Sequence, residues 1–258
     1  MEEAITSRRN QRLRELRRLQ QRKHRREQGL FLAEGEDLVA EALRHGAAPR
    51  TVFSVRGAGL PFSLPEGVEQ IEATADALGA VSALGSGTRV IGVFEQRWRA
   101  VSELRTGATS AVYLHDVADP GNVGTVLRAA HAFAADTVVL SERSADPFGP
   151  KAVRASMGAV FAVSVVRAGL DEARAALEVP AIALVPNTGV PLRDLDLADP
   201  VLFVLGAERS GLPDSVLTSC DEIAHVPLAP GGAESLNVAM TATLCLYESA
   251  ARRLRSHD

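Results

Sequence analysis

The second half of this chain alternates apolar segments with amphipathic ones, and no other feature of the 258 residues constrains the fold as strongly. Segments such as VLFVLG (Val201–Gly206) are apolar throughout, which is typical of parallel strands buried on both faces. The segments between them have helical periodicity, and the last one runs from about Ser235 to Arg255. Alternating strands and helices predict an α/β fold, in which a mostly parallel sheet has helices on both faces. The predicted strands are Ala111–His115, Thr137–Ser141, Val160–Val166, Ala181–Pro186, Val201–Gly206 and Glu222–Leu228.

The first half predicts a smaller α/β unit. Three short strands, Thr51–Val55, Val68–Glu72 and Arg89–Glu95, are separated by loops rich in Gly and Pro and by short helical segments. Ahead of them, FLAEGEDLVAEALRHG predicts a helix that ends at Gly46. The predicted organisation is a first domain over residues 1–95, a linker without a clear apolar period over 96–110, and a second domain over 111–258.

A strongly basic segment lies at the start of a chain whose formal net charge is −4. Ten Lys or Arg and a single acid, Glu15, occur between Arg8 and Arg26, and leucines recur there at helical spacing. We expect one helix that binds phosphates, and the alternative is a solvated helical face or an unstructured tail. The residues expected to contact a nucleic acid are Arg8, Arg9, Arg12, Arg17, Arg18, Arg22 and Lys23.

The residues and motifs that several common binding and catalytic sites require are missing from this sequence. Two cysteines, Cys220 and Cys245, exclude a disulfide framework and a multi-cysteine zinc site, and the six histidines have no metal-ligand spacing. Among the histidines, His115 and His225 fall at strand ends, where we expect them to be hydrogen-bonded structural residues. The sequence has no Walker A motif, no GxGxxG after a first strand and no GxSxG elbow. We therefore expect no metal, no membrane partner and a cytoplasmic location, since no apolar run suits a membrane span or a signal peptide.

Three loops follow predicted strands at the edge of the sheet where parallel α/β proteins bind ligands. In the first, an Asp-Pro-Gly-Asn turn opens a helix with Asn122 as the expected N-cap and Arg128 behind it, which suits an anion. The second places Glu208 between two glycines, and the third leads through a Gly-Gly turn to Ser235 and Asn237. Each loop alone also fits plain turn and capping chemistry.

Together the loops resemble the SpoU (TrmH) family of RNA ribose 2′-O-methyltransferases. The N-x-G-x-x-x-R motif of that family matches Asn122–Arg128, its L-G-x-E-x-x-G-L motif matches Leu205–Leu212, and its P…S-L-N-V motif matches Pro227–Val238. The loop ahead of Ser235 is about one residue longer than usual. Residues 1–95 are similar in layout to the substrate-binding domain that many members carry.

The resemblance implies a deep trefoil knot in the second domain, a homodimer, and S-adenosylmethionine as cofactor. The positions that would bind the cofactor are Leu205, Gly206, Val226, Leu228 and Leu236. The positions that would form the catalytic site are Arg128, Asn122, Glu208, Ser235 and Asn237.

In the family Arg128 would act with an RNA phosphate to deprotonate the ribose 2′-hydroxyl, although an arginine that remains protonated suits phosphate binding better. We expect the RNA to be 23S rRNA. The alternatives are a tRNA substrate, a methylated base nitrogen, and a non-catalytic RNA-binding protein that keeps the knot. An enzyme on an ordinary dinucleotide-binding sheet is a further alternative, and the missing glycine fingerprint argues against it.

Overall fold

A computed structural model describes residues 4–83, 87–105, 110–195 and 200–255 of the chain, and these form two compact units. The first unit contains residues up to Arg97 together with Asp146–Phe161, and the second contains Trp98–Ala145 and the chain from Ala162 onward. The elements up to residue 97 are α1 (Gln11–Arg18), α2 (Arg22–Gln28), β1 (Leu30–Glu34), α3 (Glu36–Arg44), β2 (Thr51–Val55), β3 (Glu69–Ala73), α4 (Ala75–Gly79) and β4 (Val90–Glu95).

The remaining elements alternate as the sequence predicts. They are β5 (Trp98–Arg99), β6 (Ala111–Leu114), α5 (Pro120–Ala132), β7 (Thr137–Leu140), α6 (Pro150–Ser156), β8 (Ser164–Arg167), α7 (Leu170–Leu177), β9 (Ala181–Leu184), β10 (Val190–Pro191), β11 (Leu202–Leu205), α8 (Asp214–Thr218), β12 (Glu222–His225) and α9 (Val238–Arg255). Short 3₁₀ turns at Val101–Glu103, Ala159–Phe161 and Leu192–Asp194 complete the described elements.

The sheet of the first unit has the strand order β1-β4-β2-β3. Strand β4 is antiparallel to both of its neighbours, and β2 is parallel to β3. A helix is predicted over FLAEGEDLVAEALRHG, but the first residues of this segment form strand β1, so that part of the prediction is wrong. The apolar LFLAE segment instead pairs with β4, with Phe31 opposite Phe94, and Gly35 at φ 113° separates β1 from α3.

The basic segment forms two helices rather than one. Leu13 and Leu16 of α1 and Leu19 behind it are buried in the core of the unit, as their spacing predicts. The chain then turns, because Gln21 adopts an extended conformation with ψ 132° ahead of α2. The apolar stripe therefore covers only the first helix.

The segment Asp146–Phe161 packs with the first unit although residues of the second unit flank it in the chain. Two of its rings join an aromatic cluster. The Phe148 ring lies 5.0 Å from that of Phe31, and the Phe161 ring lies 4.8 Å from that of Phe94. Four aromatic rings bury a large apolar area together, so this segment contributes to the core of the first unit.

The second unit is built on an eight-stranded parallel sheet of order β10-β12-β9-β11-β6-β7-β8-β5. The α/β architecture is confirmed, and each of the six segments expected there contains a strand. The strand expected over Val160–Val166 begins only at Ser164, because Ala159–Phe161 forms a 3₁₀ turn, and the strand expected over Glu222–Leu228 ends at His225. Strands β6, β7, β9 and β11 are buried at every position. Two-residue strands, β5 and β10, lie at the edges. Strand β5 belongs to the segment expected to be a linker, where Trp98 pairs with Val165 and its ring stacks on the Arg167 guanidinium at 4.8 Å. Among the helices that the structure describes, none is long and apolar enough to cross a membrane.

Candidate cofactor and catalytic site

A cavity of about 560 Å³ opens at the carboxyl ends of the central strands of the second unit. This is the edge where parallel α/β sheets bind ligands, and the volume is that of a small-molecule site. The walls come from the ends of β9, β11 and β12 and from the start of α9. The lining residues include all five positions expected to bind a cofactor and three of the five expected catalytic residues, namely Leu205, Gly206, Glu208, Val226, Leu228, Ser235, Leu236 and Asn237.

The first loop contacts the cavity wall through Asn122, which hydrogen-bonds to the lining residue Glu208, although its helix does not begin where the sequence predicts. Helix α5 begins at Pro120, and its N-cap is Asp119, whose carboxylate accepts a hydrogen bond from the backbone N–H of Gly121. The expectation that Asn122 caps this helix is therefore wrong, because Asp119 and the proline at the first helical position fix an earlier start. Asn122 lies in the first turn, where its side chain is free to make other contacts.

A chain of side-chain hydrogen bonds joins the three loops. The Asn122 amide donates to Oε1 of Glu208 at 2.6 Å, and the Asn237 amide donates to Oδ1 of Asn122 at 3.0 Å. The other end of Asn237 is also fixed, because its Oδ1 accepts the backbone N–H of Ala239 at 2.9 Å. Asn237 therefore caps α9. These three residues thus form one polar cluster, and its two hydrogen bonds join positions that are 86 and 115 residues apart in sequence.

The second loop is compact because Gly206 lies directly against its far end. A Cβ atom at Gly206 would lie 2.3 Å from the carbonyl carbon of Gly211 and 2.6 Å from the nitrogen of Leu212. The Gly211 N–H donates to the carbonyl of Ala207 at 2.9 Å, which closes the turn, and Gly211 has φ 64°. Glycines at both ends therefore allow a bare backbone wall on one side of the cavity.

Two lining residues were not among the expected site residues. His225, at the end of β12, has a buried Nδ1 with no hydrogen-bond partner among the described residues. Nδ1 of His115 is in the same condition, so the hydrogen bonds expected for these two histidines are not found at Nδ1 within the described residues. Arg209 lines the cavity beside Glu208 and is exposed. Its place next to Glu208 is the signal that could have identified it as a lining residue, although the sequence motif leaves that position variable.

Arg128 and Ser235 are accessible to a large substrate. Arg128 is exposed on α5, two turns beyond the helix start, and within the part of the chain that the structure describes its guanidinium has no hydrogen bond or ion pair. It does not line the cavity, whereas Ser235 lies exposed at the rim. A free arginine outside a cofactor-sized cavity suits a group that approaches from solvent.

The residues expected to contact RNA belong to the first unit, and several of them have partners there. Arg8 forms an ion pair with Asp76, and Arg12 forms one with Glu69. Lys23 lies 3.9 Å from Glu27 on the same helix. Arg17 donates to the backbone carbonyl of Ala80 at 3.2 Å, whereas the remaining members of the set are exposed and have no side-chain partner in the described ranges, namely Arg9, Arg18 and Arg22.

Burial raises the pKa of three titratable groups of the second unit. Burial raises the pKa of the Cys220 thiol to about 11 and raises that of the fully buried Cys245 further. Burial likewise raises the pKa of Tyr113 to about 12. A thiol with a raised pKa carries little thiolate at neutral pH, so both cysteines suit structural roles. No group of His, Cys, Asp and Glu suited to a metal ion is found in the described portion.

Comparison with known families assigns a model to each part of the chain. Residues 109–247 match the SpoU rRNA Methylase family, and residues 10–104 match the MRM3-like substrate binding domain. The first match covers more than half of the chain and contains every residue of the polar cluster and of the cavity.

One relative and one solved structure match nearly the whole length, and a second relative matches about half of it. A 23S rRNA (guanosine(2553)-2′-O)-methyltransferase of Bacillus subtilis is 32% identical over 94% of this chain and 97% of its own. A 23S rRNA (uridine(2479)-2′-O)-methyltransferase of Streptomyces viridochromogenes is 35% identical over 52% of this chain and 50% of its own. An AdoMet-bound rRNA methyltransferase from Sinorhizobium meliloti superposes with a TM-score of 0.86 at 30% identity, and the match covers 98% of both chains.

Proposed function

Because the chain belongs to the SpoU rRNA Methylase family, we propose that it transfers a methyl group from S-adenosylmethionine to a ribose 2′-hydroxyl of 23S rRNA. The observation that carries the proposal is the hydrogen-bond chain from Glu208 through Asn122 to Asn237 beside the cavity. It gathers one residue from each of the three motifs. The Bacillus subtilis relative, which matches at almost full length, supports 23S rRNA as the substrate.

The cavity fits S-adenosylmethionine in two respects. Its apolar walls, Leu205, Leu228 and Leu236, suit a flat purine. The buried Nδ1 of His225 has an unused hydrogen-bonding position that a polar ligand can fill. When bound there, the cofactor supplies a methyl group on a sulfonium, which is already activated for transfer.

The protein's own contribution is orientation, charge and removal of a proton. Glu208 is held by Asn122 at 2.6 Å, so its second oxygen keeps a fixed direction at the cavity wall. The exposed guanidinium of Arg128 suits an RNA phosphate next to the reacting ribose. With the phosphate bound, the 2′-hydroxyl is positioned for attack, and a non-bridging oxygen of that phosphate accepts its proton. We assign positioning of the ribose to Ser235 and Asn237 at the rim.

The domain assignment follows from the same proposal. Residues 1–95 bind the RNA, residues 111–258 bind the cofactor and transfer the methyl group, and the second domain carries the trefoil knot of the family. The match of residues 10–104 to a substrate-binding domain supports this division. An rRNA substrate also favours the cytoplasm as the place of action.

We propose that two copies associate through α9. Three large apolar side chains at spacings of four and three on this helix are exposed, Met240 at 61%, Leu244 at 40% and Tyr247 at 55%. An apolar helix face of this kind is typical of an interface between subunits. Sedimentation equilibrium of the wild-type chain and of Leu244→Glu tests it: the wild type should sediment as a dimer and the variant as a monomer. A monomeric wild type would refute the dimer.

Transfer of tritium from labelled S-adenosylmethionine to RNA tests the function. The RNA should come from a strain that lacks the gene, separated into 23S rRNA, 16S rRNA and tRNA. We expect label in 23S rRNA, at one position, with the adjacent linkage resistant to alkali because the 2′-oxygen is blocked. Label confined to tRNA would change the substrate, and label on a base would refute ribose methylation. Cofactor binding without transfer to any RNA, naked or in ribosomal particles, would refute the enzymatic proposal.

A further inference from the structure

Part of the basic segment is occupied by contacts with the protein itself. On α1, Arg12 pairs with Glu69 of β3, and Arg17 donates to the carbonyl of Ala80 behind α4. These two arginines are five residues apart, so they lie on opposite sides of the buried leucine stripe of α1. They attach both edges of the helix to the sheet and to the α4 region. A guanidinium held in this way has fewer free N–H donors for a phosphate.

Two further arginines are also occupied. Arg8, just ahead of α1, forms an ion pair with Asp76 of α4. Arg25 is only 4% exposed, and its guanidinium donates to the Asp146 carboxylate at 2.6 Å and to two backbone carbonyls of the turn between α1 and α2 at 2.7 and 2.9 Å. Arg25 therefore connects α2, the preceding turn and the segment Asp146–Phe161 in one buried contact.

The other arginines of the segment point into solvent. We call these the outer arginines: Arg9, Arg14, Arg18, Arg22 and Arg26. All five are exposed, and no ion pair or side-chain hydrogen bond of their guanidiniums occurs in the portion of the chain that the structure describes. The acids nearby are engaged on their own helices, Glu15 with Gln11 and Glu27 with Lys23 and His24.

The arrangement of the outer arginines suits a chain of phosphates. Arg14 and Arg18 are four residues apart on α1, and Arg22 and Arg26 are four apart on α2, so each pair lies on one side of its helix at a spacing of about 5–6 Å between Cβ atoms. Guanidiniums bind phosphate oxygens bidentately. The outer side of α1 carries only polar side chains, whereas a helix that binds a lipid surface needs apolar ones there.

We propose that the outer arginines are the RNA-binding surface of the first unit, whereas Arg8, Arg12, Arg17 and Arg25 hold the two helices on the protein. The inference rests on the proposed function for the identity of the partner. It replaces the charge-based expectation, which counted Arg8, Arg12 and Arg17 among the RNA contacts and left out Arg14 and Arg26.

Two double variants on the same helix test this division with equal loss of charge. Arg14→Gln/Arg18→Gln removes two outer arginines. Arg12→Gln/Arg17→Gln removes two arginines that contact the protein itself. The dissociation constant of a fluorescein-labelled single-stranded RNA oligonucleotide is measured by anisotropy over a series of NaCl concentrations. Each phosphate contact contributes about 0.7 to the slope of log K against log salt, so the outer pair should reduce the slope by about 1.4. The Arg12→Gln/Arg17→Gln variant should leave the slope unchanged and lower the melting temperature of the protein.

Equal slope losses in both variants would overturn the division, since they would mean that only total charge matters. An unchanged slope in the outer variant would overturn it too, as would wild-type binding to anionic lipid vesicles in preference to RNA. If the outer variant does not keep the wild-type circular dichroism spectrum, Arg22→Gln/Arg26→Gln provides the same reading on α2. Failure of the proposed function is distinguishable, because it would abolish methyl transfer by the wild type while RNA binding and its slope remain measurable.

Discussion

Replacing Gly206 with alanine tests whether the cavity binds the cofactor. The new Cβ would lie 2.3 Å from the carbonyl carbon of Gly211, whereas ordinary contact begins at 3.4 Å. The nearest atoms all belong to the backbone of Gly211 and Leu212, so no side chain can rotate away. One side of the loop must therefore move by about 1 Å, and misplacement on that scale can cost about a factor of 100 at a site that depends on position.

We expect the dissociation constant of S-adenosylmethionine for Gly206→Ala to rise by about 10- to 100-fold, which is about 1.4–2.8 kcal/mol. Isothermal titration calorimetry measures this directly. Methyl transfer to RNA should fall at limiting cofactor. The fold should persist, because β11 ends before the substituted residue.

Gly169→Ala is the matched control in the same unit. Gly169 precedes α7 with φ −71°, and no atom lies within 4 Å of the position that its Cβ would take. This variant should bind the cofactor as the wild type does. If the folded Gly206→Ala variant binds S-adenosylmethionine with wild-type affinity, this assignment of the cavity is refuted. Such a result would mean either that the loop moves without loss of affinity or that the cofactor binds elsewhere.

Three further variants test other parts of the molecule. Arg128→Ala should reduce methyl transfer to RNA by at least about 100-fold and leave cofactor affinity within about twofold in calorimetry, and parallel loss of both would contradict its assignment to the substrate. Arg25→Ala should lower the free energy of unfolding in urea by about 3–5 kcal/mol, because it leaves the Asp146 carboxylate buried without its partner, and a loss below about 1 kcal/mol would contradict that role. A backbone hydrogen bond from Ala181, together with Arg174, lowers the pKa of Asp221, so this carboxylate stabilises the fold above its unfolded-state pKa and the contribution disappears as pH falls below it. Asp221→Asn should therefore be less stable than the wild type at pH 7 in thermal melts and should approach it below about pH 4, and a difference independent of pH would refute this.

The buried strands were predictable because their signal is local. An unbroken apolar segment such as Val201–Gly206 by itself predicts a strand that is buried on both faces. The structure confirms a strand over Leu202–Leu205. The short edge strands gave no such signal. Trp98 joins the sheet through pairing with Val165 and stacking on Arg167, and neither partner can be inferred from the sequence around it.

The candidate site was predictable as a set of residues but not as a set of contacts. The motifs indicated Asn122, Glu208 and Asn237, and hydrogen bonds between their side chains join all three. Asn122 was expected to cap α5 because asparagine is a favoured N-cap, yet Asp119 followed by proline is a stronger start. The capping choice has a consequence for the site, since an Asn122 side chain engaged with its own helix could not also bridge Glu208 and Asn237.

Charge is the property for which the sequence is least informative about individual residues. Ten basic residues predict a phosphate-binding segment, but the count does not say which of them the fold itself uses. That depends on long-range partners such as Glu69 for Arg12 and Asp146 for Arg25, the second of which is 121 positions away. The two uses also respond differently to salt. A buried pair such as Arg25–Asp146 is screened weakly, whereas exposed arginines bound to phosphates release counterions and lose affinity steeply. Raising the salt concentration should therefore release RNA well before it unfolds the helices that bind it.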